Sequence, residues 1–187
     1  QDVIAKIIAD LDAAIVLLAK DPILTTGRYI GSTEFDSNPY YSVNRGQRMN
    51  ILAVKCLKAR VLLYAGDKTG AYAVATEVIN FVKGQPVITW TPFLEATNTS
   101  NPDRIFSSEN FFALSDQTLY IEQKALFDSS LDDFNIYAPM LSRINAVFES
   151  NDNDYRSLPS WKIPISGGKT QKTFFKYEDV TDKTKLF

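Results

Sequence analysis

RMNILAVKCLKARVLLYAGDKTGAYAVATEVI, residues 48–79, is the stretch from which the fold is read. Met49, Leu52, Ala53, Cys56, Leu57, Leu63 and Tyr64 fall on one broad face at helical spacing, which predicts a helix over 47–65. Ile51, Val54, Val61 and Leu62 are apolar outside that face, so the helix is expected to be covered on most sides. Arg48, Lys55 and Lys58 share a narrow strip. Arg60 lies away from it on otherwise apolar surface, and is expected to be buried beside an acid, because an unpaired buried charge is costly. Cys56 reads as a small buried hydrophobe. Gly66 suits a left-handed C-cap, and Asp67 can cap the next helix. That helix is predicted over 68–83, with Ala71, Val74, Ala75, Val78, Ile79 and Val82 as its stripe. So short a turn makes the two helices antiparallel, giving a helical hairpin of tetratricopeptide type. Arg48, Arg60 and Asp67 are its structural residues.

Upstream, residues 2–19 read as an amphipathic helix capped by Asp2 and stopped by Pro22. Residues 23–46 read as a loop rich in Gly, Ser and aromatic residues. After Gly84 the composition changes. Residues 86–91 (PVITWT) are predicted extended, 92–104 loop, and 109–115 (ENFFALS) a strand, while 117–148 carry no clean period. Two stretches, 161–166 and 171–178, flank Gly167-Gly168 and predict a β-hairpin. The fold class is therefore mainly α: tetratricopeptide-like hairpins, with an irregular portion of loops and short strands after about residue 85. The organisation is a helical scaffold over 1–84 and a loop-rich part over 85–187, packed as one compact unit.

The chemistry is bounded mostly by what is missing. With no histidine in 187 residues, Ser-His and Cys-His nucleophile pairs are excluded. The lone cysteine, Cys56, excludes an intramolecular disulfide and a Cys-rich zinc site. A net charge of −2 argues against nucleic acid, which needs clustered Lys and Arg. No phosphate-binding or dinucleotide-binding glycine loop is present. The Asp152-Asn153-Asp154 run lacks the glycine and the closing glutamate of a calcium loop, so no metal and no cofactor is expected. Asp132-Asp133 offers half of a glycosidase carboxylate pair without an identifiable second half. On these grounds the chain does not read as an enzyme.

Aromatic residues make up 12% of the chain, and several fall in segments read as loop or extended. A carbohydrate site wants such flat faces, which pack on the C–H face of a sugar ring. Tyr40, Tyr41, Trp90 and Trp161 are the candidates on this ground. For any one of them a place in the core is the plainer reading.

Residues 48–79 also resemble the helical-repeat segment of the SusD/RagB family. The resemblance lies in Arg48-Met49-Asn50, Ala53-Val54-Lys55, Ala59-Arg60-Val61, Leu63-Tyr64, Gly66-Asp67 and Val78-Ile79. Asp10-Leu11-Asp12 with Ala14-Ile15 is similar to that family's upstream helix. Residues 108–114 and Asp154-Tyr155-Arg156 are similar to landmarks of its second half. The resemblance implies a lipid-anchored protein on the outer face of the outer membrane. It would bind extracellular nutrient, with glycan or oligosaccharide the expected class, and pass it to a SusC-like TonB-dependent transporter. Family members are several times longer and begin with a signal peptide and a lipidated cysteine, so this chain reads as a partial one. A helical-repeat scaffold that binds another protein and no sugar is the alternative.

Overall fold

The computed structural model describes residues 2–26, 48–85, 88–114, 116, 118–151, 153–165 and 168–182. Its helices are α1 (Asp2–Leu17), α2 (Ile23–Thr26), α3 (Ile51–Tyr64), α4 (Lys68–Lys83), α5 (Phe93–Ala96), α6 (Leu119–Phe127) and α7 (Leu141–Val147). A single 3-10 turn covers Ser107–Glu109. Two short strands, β1 (Trp161–Lys162) and β2 (Thr173–Phe174), pair antiparallel with Trp161 opposite Phe174. The chain is thus mainly helical with a small β-hairpin, as its sequence indicates.

The chain divides into two compact units. One holds Gln1–Trp90 and Ser108–Leu114; the other holds Thr91–Ser107 and Ser115–Phe187. The compositional change after Gly84 falls just before the first crossing between them.

In the helical unit, α1 and α4 both pack on α3. The α3–α4 turn is closed as its sequence requires. The Gly66 N–H donates to the Leu63 carbonyl and the Asp67 N–H to the Leu62 carbonyl, at 3.1 and 3.0 Å, which is a Schellman ending. Gly66 sits at φ 87°, where a side chain would be strained. Asp67 then accepts from the Gly70 N–H at 2.8 Å and starts α4. The core is Ile23, Ile51, Leu52, Val78 and Ile88, each worth roughly 1.5–3 kcal/mol on burial.

Two buried polar side chains set the entry to this unit. Asp21 accepts from the Ile23 N–H at 3.1 Å and from the Ile51 N–H at 3.2 Å, so one carboxylate receives donors from the starts of α2 and α3. Asn50 caps α3 by accepting from the Ala53 N–H at 2.9 Å. Its amide also donates to the Arg48 carbonyl at 2.9 Å and to the Phe111 carbonyl at 2.6 Å. Arg48 therefore stands just ahead of the helix rather than inside it.

Three expectations are corrected here. First, α3 is not covered along its length. Ile51, Leu52, Ala53 and Val54 are buried all round, but beyond them the buried edge narrows to Leu62. Leu57, Leu63 and Tyr64 face solvent. Second, Arg60 lies on this open part, exposed and without an ion pair among the described residues. From the strip predicted to be charged, Lys55 reaches Glu77 at 2.8 Å and Lys58 reaches Asp12. Third, Cys56 is exposed. Arg60→Ala should accordingly change the stability read from a chemical melt by no more than a surface substitution does, about 0.5 kcal/mol; a loss of several kcal/mol would restore the buried-pair expectation.

Between Ile23 and Thr26 the segment read as loop turns out to form the short helix α2. Residues 109–114 form no strand; Glu109 closes the 3-10 turn, and the described residues after it are irregular.

The second unit is built around the β-hairpin. Gly168 lies at φ 65° in the connection, as a turn glycine should. Phe174 is the hub of an aromatic stack, with ring centroids 5.0 Å from Trp161, 5.2 Å from Phe127 and 5.6 Å from Tyr177. α6 docks through Gln123, which is buried and donates to the Phe174 carbonyl at 2.8 Å. Arg104 is buried too, and donates to the carbonyls of Glu178 at 2.6 Å and Lys176 at 3.3 Å. Burial pushes its guanidinium down from the ordinary arginine range, and Glu178 draws it back up. Asp103, also buried, accepts from the Ser107 N–H and hydroxyl.

Candidate functional site

Of the two candidates among the described residues, Trp90 is the one that meets solvent. It is 69% exposed and stands at the end of the segment that leads away from α4. Beside it, within the helical unit, lies a groove of about 110 Å³. Val78, Ile79 and Val82 of α4 form one wall; Ile88, Thr89 and Trp90 form a second; Glu109 and Phe111 complete it. The α4 stripe thus serves two purposes: Val78 enters the core, and its neighbours Ile79 and Val82 line the groove. A cavity of roughly 150 Å³ holds one benzene ring. The groove is smaller than that, so it takes a branched side chain or part of a ring, and a larger ligand would lie across Trp90 rather than inside the groove.

The other candidates are placed differently. Trp161 is partly buried in the hairpin, stacked against Phe174 in the other unit, and its packing role is the plain one. Tyr40 and Tyr41 lie outside the described residues. Glu109 and Phe111 come from the stretch read as a strand, and no period in the sequence marks them as neighbours of α4.

The acidic candidates of the second unit are engaged locally. Asp133 pairs with Lys169 at 2.5 Å, and that hydrogen bond holds its carboxyl below the usual range. Asp154 accepts from Arg156 Nε at 3.0 Å and from its terminal nitrogen at 2.7 Å. This fork brings the Asp154 carboxyl down to about 2. Between them in sequence, the Tyr155 hydroxyl donates to the Thr91 carbonyl, and its ring packs 5.2 Å from Phe106 and 5.9 Å from Phe93. The Asp-Tyr-Arg landmark therefore fastens Thr91–Phe106 to the residues around 155. Among the described residues no three potential metal-ligating side chains come together. No described helix is long and apolar enough to cross a membrane.

Comparison of the chain with protein-family models, with curated proteins and with solved structures finds no match.

Proposed function

We propose that this chain belongs to a nutrient-binding protein of SusD/RagB type that captures extracellular glycan or oligosaccharide and does not cleave it. In this reading it works at the outer face of the outer membrane beside a SusC-like TonB-dependent transporter, and a lipid anchor holds the whole protein there. Two things support the reading. The sequence resemblance runs from the upstream helix through the hairpin to the Asp-Tyr-Arg landmark. The observation that carries the binding role is Trp90, a flat ring left exposed beside an apolar groove that Glu109 helps to line. The C–H face of a pyranose would stack on the indole.

The chain has two tryptophans, so Trp161→Phe leaves Trp90 as the sole indole reporter. Titrating that variant with a panel of oligosaccharides should quench or shift its emission for at least one member. Trp90→Ala should then weaken binding of that sugar about tenfold, the equivalent of about 1.4 kcal/mol of stacking. A Trp90 signal flat across the panel would reject the carbohydrate reading.

A second reading has its own observation. Leu57, Leu63 and Tyr64 of α3 and Tyr72 of α4 are all exposed, which is the surface a protein-binding helical repeat would offer. Leu63→Asp separates the two proposals: it should leave sugar binding intact and abolish any binding that uses the hairpin.

A further inference from the structure

The two edges of the β-hairpin are finished differently. The Phe175 N–H donates to the Ser160 carbonyl at 2.9 Å, so residues 160 and 175 are a hydrogen-bonded pair of the antiparallel ladder. Such pairs alternate with pairs whose backbone groups point outward, so the groups of Trp161 and Phe174 face away from the neighbouring strand. On the β2 side the outward carbonyl of Phe174 is taken by Gln123, and Arg104 takes those of Lys176 and Glu178 farther along. The β1 side has no such plug. The Trp161 N–H is held by the Ser157 carbonyl at 2.9 Å. Beyond it, no hydrogen bond among the described residues engages the Trp161 carbonyl or either backbone group of Ile163.

Pro164 leaves this edge open. It keeps Ile163 extended, and the same alternation turns its nitrogen toward β2, where the ladder ends at Lys162 and Thr173. A proline blunts an edge only when its missing donor faces outward. Alternation also places Ile163 and Ile165 on the face that carries Trp161, and they are 55% and 108% exposed.

We propose that a second copy of the chain adds to this edge, β1 against β1, antiparallel about a twofold axis at Ile163. Only another extended backbone offers donors and acceptors at the required spacing, and this segment is complementary to itself. With the axis at residue 163, each Ile163 N–H donates to the other copy's Ile163 carbonyl. Each Trp161 carbonyl receives the other copy's Ile165 N–H, and the Trp161 N–H, already satisfied, needs no partner. The chain bends at Ile165, which ends the pairing there. On one face Ile163 meets Ile163 and Trp161 meets Ile165; on the other Lys162 meets Pro164, so no like charges stand opposite each other. The product is a four-stranded sheet whose outer edges are the two plugged β2 edges, so assembly stops at two. A contact this small makes a weak dimer. The inference concerns the second unit and does not depend on the carbohydrate reading of Trp90.

The test is sedimentation velocity of the whole chain from micromolar to near-millimolar concentration. The sedimentation coefficient should rise with concentration to that of a dimer and no further. Ile163→Lys, which sets two ammonium groups face to face, should stay monomeric throughout. The register is read by oxidative crosslinking of Ile163→Cys and Ile165→Cys, each with the exposed Cys56 changed to Ser. Position 163 lies opposite itself with about 5.5 Å between Cα atoms, within disulfide reach. Position 165 lies opposite 161, so its two copies stand roughly 13 Å apart along the strand. Ile163→Cys should therefore crosslink several-fold faster, although Ile165 is the more exposed of the two. A monomer across the whole series, growth beyond the dimer, or Ile165→Cys crosslinking as fast as Ile163→Cys would overturn the proposal.

Discussion

Asn50→Ala should cost about 2–4 kcal/mol of stability and move the urea midpoint by about 1–2 M. The magnitude follows from the two things that one side chain does. As a cap it satisfies the Ala53 N–H in the first turn of α3, worth about 1 kcal/mol. As a donor it satisfies the carbonyls of Arg48 and Phe111, and an acceptor left unpaired in the interior costs about 1–3 kcal/mol. Asn50 is 0% exposed, so water cannot replace the lost amide. Asn50→Asp tells the two contributions apart. It keeps the acceptor but faces two carbonyls with no donor, so it should be no better than Ala. If Asp rescued stability, the cap alone would account for the residue. Emission from Trp90 in the Trp161→Phe background reports on the helical unit directly.

The matching position in the second unit is Arg104. Arg104→Met should cost about 2–4 kcal/mol, read from Trp161 emission in a Trp90→Phe background. Methionine restores much of the volume over Phe175 but leaves the Lys176 and Glu178 carbonyls without their donor. The guanidinium fork reaches both carbonyls at once, which one ammonium cannot do, so Arg104→Lys should recover only part of the loss. A melt unchanged by Arg104→Met would mean that water takes over both carbonyls and that the hairpin does not depend on this contact.

The hairpin was legible because its signals are local. Gly66 and Asp67 close the turn with atoms a few residues away, and the apolar stripe of α4 needs only its own spacing to be recognised. Coverage was not legible. The apolar pattern of α3 runs its full length, yet burial depends on where α1 and α4 end, so Arg60 and Cys56 emerge on open surface. α6 escaped detection for a different reason: the residue it buries is Gln123, a polar side chain satisfied by the Phe174 carbonyl, which breaks the apolar period. α7 is only 7 residues long and buries Ile144 alone, too little to form a pattern. Of the candidate site, Trp90 was visible as an aromatic in an extended segment. Glu109 and Phe111 were not visible as its companions, because tertiary packing brings them to α4.

The bond from Asn50 to the Phe111 carbonyl spans 61 positions in the chain. It belongs to a unit whose last piece, Ser108–Leu114, arrives after a detour through the other unit. During synthesis the hairpin can coil as soon as residue 83 has cleared the ribosome, but the Asn50 amide waits for its distant acceptor until residue 111 follows. A nascent chain halted near Trp90 would therefore hold α1, α3 and α4 with an unmet donor at their junction, a looser body that proteases should cut far faster than the chain released past Leu114.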